Sequence, residues 1–364
     1  MVRLIVIAAG GTGGHLFPAE ALAAELVARG RRVVLMTDVR TSEAAFAGRE
    51  RYVLRGAGIA GRGLIRGASA VAGIAAGTLQ ARNILARIDA AALVGFGGYP
   101  SVAPVLATRL MVRRPVILLH EQNAVLGRAN RMLSRFADVL ALSHADTARV
   151  APGTKTIVTG NPVRPAILAL AQSAYEPPAG ELRLLVLGGS LGARIFSDVV
   201  PPALAALPEA LRAGLRVTQQ CRADDLDRVS AAFRKAGISA KLSTFFGDVA
   251  ERIAQAHLVI ARAGASTVAE LAVAGRPALL VPYPFATDDH QTANARALVD
   301  ASAAWLMPQP AFTAATLARR LQSLLTDRDS LAKAAARAAS LGHADAAAKL
   351  ADLTEEKIPQ ESVA

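Results

Sequence analysis

The residues best suited to chemistry lie in Gly10-Gly11-Thr12-Gly13-Gly14-His15. An apolar run, Ile5-Val6-Ile7-Ala8-Ala9, leads into it. Leu16-Phe17-Pro18-Ala19-Glu20 then opens an alanine- and leucine-rich helical pattern. This order reads as a buried parallel strand, a tight turn and a helix start. Glycine allows positive φ and lets a ligand approach the main chain. The N–H groups of the helix start then face an anion, commonly a phosphate. His15 stands beside that anion site and supplies an imidazole, the side chain most often used to carry a proton. Four glycines around one threonine exceed what a turn needs, so the stretch reads as a ligand loop.

Other polar clusters sit where further strands should end. They are Gly95-Phe96-Gly97-Gly98-Tyr99 and His120-Glu121-Gln122-Asn123 in the first half. In the second half, Gly188-Gly189-Ser190-Leu191-Gly192-Ala193 repeats the opening pattern. Arg262-Ala263-Gly264-Ala265-Ser266-Thr267 turns from a strand-end loop into a helix, with Glu270 in its first turns. A carboxylate there could accept two sugar hydroxyls, or simply complement the helix dipole. Asp288-Asp289-His290-Gln291-Thr292 is a loop entering a helix, and its paired acids read as N-cap groups rather than metal ligands.

The elements that must position these residues are strands alternating with helical segments. Strands are expected at 4–8, 33–37, 52–54, 92–96, 116–120, 139–143 and 156–159. After a hinge at Gly160-Asn161-Pro162-Val163-Arg164-Pro165, more are expected at 182–187, 215–219, 240–245, 258–261 and 278–281. This alternation predicts an α/β chain with parallel sheets covered on both faces. Ligands of such sheets bind at the carboxyl ends of strands. Two halves that each open with strand, glycine loop and helix predict two similar domains. The last helix is expected over 334–353, with a polar tail, 355–364, that should fray.

The chain has 364 residues, 52% of them apolar and 4% aromatic, which suits about two domains with real cores. The single Cys221 excludes an internal disulfide and a multi-cysteine metal site. Neither a signal peptide nor a membrane span is expected. The net charge of +12 is uneven: residues 1–160 carry +11 and residues 161–364 carry +1. Residues 49–135 hold 13 arginines and three acids. A basic, apolar, helix-forming segment over 63–87 suits an anionic membrane surface. Its alternative is an amphipathic helix packed on the sheet.

Several motifs fail. Gly11-Thr12-Gly13-Gly14-His15-Leu16 lacks the third glycine of a dinucleotide loop. Asp38 at the end of the second strand nonetheless keeps an NAD-dependent oxidoreductase as an alternative. No phosphate-binding P-loop, zinc spacing or nucleophile elbow is present in the sequence.

The six clusters Gly10–His15, 95–99, 120–123, 160–164, 188–193 and Asp289-His290-Gln291-Thr292, in this order and spacing, resemble the MurG family of UDP-N-acetylglucosamine (UDP-GlcNAc) transferases. The resemblance spans residues 2 to 350. It implies the GT-B architecture, two Rossmann-like α/β domains with parallel sheets facing across a cleft. An acceptor- and membrane-facing domain would cover 1–160 and a UDP-GlcNAc domain 161–340, with a C-terminal helix and tail over 341–364. It also implies inverting transfer, with neither metal nor cofactor, of GlcNAc to the 4-hydroxyl of N-acetylmuramic acid on an undecaprenyl-pyrophosphate carrier. The implied partners are UDP-GlcNAc, lipid I, the anionic inner-leaflet surface and proteins of wall synthesis and division, with no nucleic acid. The implied location is peripheral, on the cytoplasmic face of the bacterial inner membrane.

By the same resemblance, Thr12, Gly13, Gly14, Asn123, Arg164, Ser190, Phe246, Ala265, Ser266, Thr267, Glu270 and Gln291 bind UDP-GlcNAc. Glu270 would take the ribose hydroxyls, Gln291 the donor sugar, and the Ser190 loop the pyrophosphate. Phe246 stands where an isoleucine is usual and its backbone would read uracil. Ala263 replaces a common serine. Gly97, Gly98, Tyr99 and Asn130 would bind the acceptor, and Pro100, where valine is common, should stiffen that loop. The attacking hydroxyl needs a base; His15 and Glu121 are the candidates, His15 preferred. The alternatives are another GT-B glycolipid transferase and a non-catalytic nucleotide-sugar-binding protein.

Overall fold

The computed structural model describes residues 4–11, 13–39, 41, 46, 48–54, 64–189 and 192–359, excluding the side chains of 64–70. The chain forms two compact units, 1–164 with 345–364, and 165–344.

The first unit contains β1 (Leu4–Ala8), α1 (Gly13–Ala28), β2 (Arg32–Thr37), β3 (Arg51–Val53), α2 (Leu64–Arg87), β4 (Ala90–Gly95), α3 (Gly98–Thr108), β5 (Val116–Glu121), α4 (Arg128–Leu133), β6 (Val139–Leu142) and β7 (Thr156–Val158). Its sheet has the order β3-β2-β1-β4-β5-β6-β7, every pair parallel. Alternation along β1 feeds two cores. Leu4, Val6 and Ala8 join Leu85, Val105 and Leu119 on one face. Ile5, Ile7 and Ala9 join Leu22 and Leu26 on the other. Burial on both faces is why the strand is a continuous apolar run. Each buried valine, leucine or isoleucine among them contributes on the order of 1.5–3 kcal/mol.

The second unit contains α5 (Pro165–Leu168), β8 (Leu182–Leu187), α6 (Arg194–Ala205), α7 (Glu209–Ala213), β9 (Leu215–Gln220), α8 (Leu226–Lys235), β10 (Ser239–Ser243), α9 (Val249–Gln255), β11 (Leu258–Ala261), α10 (Ala265–Val273), β12 (Ala278–Leu280), α11 (His290–Asp300), β13 (Ala304–Leu306), α12 (Ala314–Thr326) and α13 (Arg328–Leu341). The order of its parallel sheet is β10-β9-β8-β11-β12-β13. Phe196, Val200, Leu321 and Val217 lie in its core.

The expected helix over 334–353 is two helices. α13 ends at Leu341, and α14 (Ala346–Lys357) returns to the first unit. Gly342 packs so closely on the Val273 backbone that a Cβ would lie 2.8 Å from Val273 Cα. That contact fixes the break. The tail expected to fray is helical through Lys357, because Glu355 is held by Arg29 and Arg31 at 2.9 and 2.6 Å. β13 was not expected from the sequence. It pairs with β12 through Leu279↔Trp305 and its neighbours.

Each sheet reverses its strand order at one place, between β1 and β4 and between β8 and β11. Loops at the carboxyl ends of those strands diverge to opposite faces and leave a crevice. The glycine loops after β1, β4 and β8 and the Arg262 loop after β11 are those loops.

Candidate functional site

In the first unit the site is built on the ends of β1, β4 and β5. The chain leaves β1 through Gly10, where a Cβ would lie 2.7 Å from both Thr37 Oγ1 and Thr41 Oγ1. α1 starts at Gly13, and His15 sits half-buried in its first turn. The ring's Nδ1 is 2.9 Å from Gln122 Oε1. Its other edge meets the loop after β4, where a Cβ on Gly98 would lie 3.4 Å from His15 Nε2. Gly97 and Gly98 both have positive φ, 78° and 66°, which only glycine adopts cheaply. The backbone thus crosses close over the imidazole. Ser101 Oγ, buried in α3, reaches Ala8 O at 3.1 Å and Gly97 O at 2.9 Å and ties the loop to β1. Tyr99 is exposed beside it, and Pro100 occupies the first turn of α3, where proline is tolerated.

β5 ends in His120 and Glu121, both buried. His120 packs on Phe96, with ring centroids 5.3 Å apart, and its Nε2 donates to Gly160 O at 3.0 Å. Burial pushes its pKa down to about 4, so the ring is neutral at physiological pH. The Glu121 carboxylate is fully engaged. Oε1 accepts from Asn123 N and Asn123 Nδ2, both at 3.0 Å. Oε2 accepts from Gly127 N at 2.8 Å and Asn130 Nδ2 at 3.0 Å. Four donors on one carboxylate organise the 121–130 loop. Asn130 is itself buried, and its Nδ2 also donates to His120 O at 3.1 Å. It supports Gly97 from beneath, as a Cβ there would lie 3.0 Å from Asn130 Nδ2.

Arg164 closes this unit. Its guanidinium lies 4.4 Å over the ring of Phe17, two residues after His15. The sequence reading missed Gln122 and Phe17. The available signal for Gln122 was its position two residues after His120, which places both on one face of an extended strand.

In the second unit, Gly188 sits at the end of β8 with its N–H donating to Gln220 Oε1 at 3.2 Å. A Cβ on Gly188 would lie 2.3 Å from Ala193 N, so the loop folds tightly on itself. Gln220 Nε2 in turn donates to Thr244 O at 3.1 Å, tying the loop to the segment carrying Phe246. Phe246 is buried under Arg252, whose guanidinium is 4.2 Å from the ring centroid. Arg252 is held by a two-point ion pair with Asp248.

Arg262 follows β11 and donates to Val281 O, Pro282 O and Gln309 Oε1 at 3.1, 3.0 and 2.6 Å. It thereby joins the ends of β11 and β12. Asn294 Nδ2 donates to Ala263 O at 3.1 Å, fixing the turn before α10. α10 presents Ser266 and Thr267, both half-buried, in its first turn, and Glu270, buried, in its second. Gln291 Oε1 accepts from Tyr283 N at 2.9 Å. Arg262, Asn294 and Tyr283 are therefore the residues that hold this loop cluster, and the sequence reading gave them no role. Thr12 and Ser190 lie outside the described residues. No described helix is long and apolar enough to cross a membrane.

Two family models match this chain. The glycosyltransferase family 28 N-terminal domain matches residues 5–141, and the glycosyltransferase family 28 C-terminal domain matches residues 183–350. A protein of Granulibacter bethesdensis is 60% identical over 98% of this chain and 94% of its own length. Another from Acidiphilium cryptum is 55% identical over 97% and 96%. Both are named UDP-N-acetylglucosamine–N-acetylmuramyl-(pentapeptide) pyrophosphoryl-undecaprenol N-acetylglucosamine transferase. The crystal structure of Acinetobacter baumannii MurG superposes with a TM-score of 0.78 at 31% identity, covering 97% of this chain and 99% of that one. The two parallel α/β units thus have the GT-B fold, and the chain is a family 28 glycosyltransferase that belongs to the MurG family.

Proposed function

We propose that this enzyme transfers GlcNAc from UDP-GlcNAc to the 4-hydroxyl of N-acetylmuramic acid in undecaprenyl-pyrophosphoryl-MurNAc-pentapeptide, converting lipid I to lipid II. The observation that carries the chemistry is His15, anchored through Nδ1 and edged by Gly98 at Nε2. As the acceptor oxygen attacks the anomeric carbon, its proton passes to Nε2. The bond from the anomeric carbon to the phosphate oxygen breaks, UDP departs and the configuration inverts. Gly97, Gly98 and Tyr99 hold the acceptor diphosphate, with Asn130 supporting them. Glu121, with both oxygens occupied by four donors, organises this loop rather than taking the proton.

The departing charge is met without a metal. By family resemblance we assign Thr12, Gly13, Gly14 and Asn123 to the donor sugar and phosphates, where the N–H groups of a helix N-terminus favour an anion, and Arg164 adds a cation. In the second unit the Gly188–Gly192 loop with Ser190 cradles the UDP pyrophosphate. Ala265, Ser266 and Thr267 open the ribose side, and the Glu270 carboxylate accepts the two ribose hydroxyls. The Phe246 backbone reads uracil. Gln291 has its Oε1 taken by Tyr283 N–H, so Nε2 is the end that meets the donor sugar.

The acceptor is a lipid, and the first unit carries a surface suited to reach it. Val71, Leu79, Leu110 and Val112 are exposed, as are Arg82, Arg109 and Arg113, and Arg82 donates to Leu110 O at 3.0 Å, which brings the end of α2 beside the segment after α3. We assign this patch to the anionic cytoplasmic face of the inner membrane, where each arginine adds about 1 kcal/mol. Val112→Asp with Arg113→Ala should lower binding to anionic vesicles about tenfold while leaving turnover on a short-chain, water-soluble acceptor intact.

The test of the reaction is transfer from radiolabelled UDP-GlcNAc to a short-chain lipid I analogue, in excess chelator, for wild type and His15→Ala. Transfer should survive chelator and fall about 10²–10⁴-fold in the variant, the usual contribution of a positioned base. A folded wild type that transfers nothing rejects the acceptor. Turnover unchanged in His15→Ala moves the base elsewhere.

A further inference from the structure

We infer that Gln122 is a positioning residue that fixes the tautomer of His15, keeping its proton on Nδ1 and its Nε2 lone pair toward the Gly97–Gly98 loop. The argument rests on two carbonyl oxygens, which can only accept. Gly160 O lies 3.0 Å from His120 Nε2, so Nε2 carries a proton and donates. His120 is fully buried against Phe96 and neutral, so with its proton on Nε2 its Nδ1 carries none and accepts. Its partner at 3.0 Å is the Gln122 side-chain amide, which must present its NH2 there. The same NH2 meets His120 O, the second carbonyl, also at 3.0 Å. Gln122 Oε1 therefore faces the other way, toward His15 Nδ1 at 2.9 Å. An amide oxygen only accepts, so His15 Nδ1 donates. In the neutral ring, Nε2 is then the base.

Parity thus runs from the backbone of residue 160 to the imidazole of residue 15 through two side chains. Reversing any one member would set two donors or two acceptors against each other inside a buried network, at a cost set by unsatisfied buried groups. All four residues lie in the first unit. Among the described residues, the His15 imidazole makes no hydrogen bond other than that to Gln122. Gln122 itself is buried.

The inference deepens the reading above, since a fixed Nε2 lone pair matters only if His15 takes the acceptor proton. Its test is separable from that reading. The full-length enzyme is labelled with ¹⁵N-histidine, and the imidazole nitrogens are read by long-range ¹H–¹⁵N correlation, each ring assigned by a single His→Gln variant. In the wild type His15 should show a protonated Nδ1 and a bare Nε2, and His120 the opposite pattern. In Gln122→Leu, His15 should shift toward the Nε2–H form. kcat should fall on the order of tenfold to a hundredfold, within what a positioned base contributes, with little change in either KM. A wild-type His15 protonated at Nε2 overturns the inference with no variant needed, whatever the fate of Gln122→Leu. An unchanged His15 tautomer in folded Gln122→Leu overturns it too. Full turnover in His15→Ala instead removes the catalytic reading and leaves the tautomer assignment standing.

Discussion

Arg164 and Phe17 form a cation–π contact, guanidinium carbon to ring centroid 4.4 Å, between the last residue of the first unit's 1–164 segment and the early turns of α1. The cation lies over the ring face, so the contact holds the guanidinium in position, and a planar guanidinium suits that face better than an ammonium. Arg164→Lys should therefore behave nearly as badly as Arg164→Ala, because an ammonium stacks poorly and cannot fork onto a phosphate. Phe17→Leu, which keeps the apolar body and removes the π face, should weaken UDP-GlcNAc binding by about 0.5–2 kcal/mol, roughly two- to thirtyfold in KM. Initial rates at varied donor concentration check this. A lysine variant with wild-type donor KM would show that only charge counts at this position.

Glu121 has no oxygen to spare, and this separates a structural from a catalytic role. In Glu121→Gln one end of the side chain becomes an NH2 facing either the Asn123 pair or Gly127 N and Asn130 Nδ2. Two hydrogen bonds to a charged acceptor are lost and buried donors meet a donor. The expected cost is about 3 kcal/mol, visible as a lower Tm and a lower denaturation midpoint, with turnover falling as the loop loosens. If Glu121 were the base, Glu121→Gln would abolish turnover and leave Tm in place. Thermal melts and rates on the same preparation decide between them.

How far the sequence carried differs by element. Strands buried on both faces, such as 4–8 and 182–187, were legible because a largely apolar run of that length leading into a glycine loop has few other readings. Residues at their carboxyl ends were legible for the same reason. Strand order was not, because it depends on which strands pair and not on what any one strand contains. β13 was missed because Ala304-Trp305-Leu306 is short and half-exposed. The alanine-rich run that splits into α13 and α14 has no local breaker beyond Gly342, whose role appears only against Val273. The commitment of Glu121 depends on Gly127 and Asn130, six and nine residues on, and the role of Gln122 on His15, over a hundred residues away. Residue type suggested chemistry at these positions, and tertiary pairing decided which of them could perform it.

Arg276 is the clearest case of a charge that reads as surface and is not. It follows Gly275 and precedes Pro277, an ordinary turn by composition, yet it is buried. Its guanidinium donates to Ile253 O and Ala254 O in the last turn of α9, and to Ala274 O and Gly275 O just beyond α10. One cation thus satisfies the orphan carbonyls of two helix ends and meets both dipoles favourably. Arg276→Met should cost about 3 kcal/mol by stranding those carbonyls. Arg276→Lys should recover only part, since three tetrahedral donors cannot copy a planar fork. Urea unfolding of the two variants checks the ranking. Equal stability of lysine and arginine would mean that the dipole interaction, rather than the fork, holds the two helices.

The C-terminal helix gives a prediction with a pH sign. α14 buries Leu350, Ala351 and Leu353 with the α1 face of the first sheet, and its polar edge is clamped by arginines. Arg29 reaches Glu355 Oε2 at 2.9 Å, Asp352 Oδ1 at 2.5 Å and Ala348 O at 3.2 Å, while Arg31 reaches Glu355 Oε1 at 2.6 Å. Burial alone would raise the Glu355 carboxyl. The hydrogen bonds from Arg31 and Arg29 outweigh it and hold the group below the usual glutamate value of 4.5. A folded-state pKa below the unfolded one stabilises fully above the unfolded value, and that stability is lost as pH falls through the folded value. The clamp is therefore intact at neutral pH and released only below about pH 4.5. Because the pairs are partly exposed, Arg29→Ala should cost only about 1–2 kcal/mol. The loss should be local, with faster amide exchange over 346–357 and little change in β1 or β4. Amide protection factors of the wild type, followed as pH is lowered from 7 through the folded-state pKa of Glu355, should reproduce the same pattern through protonation. Uniform loss of protection across the first sheet would instead make α14 part of that unit's cooperative core.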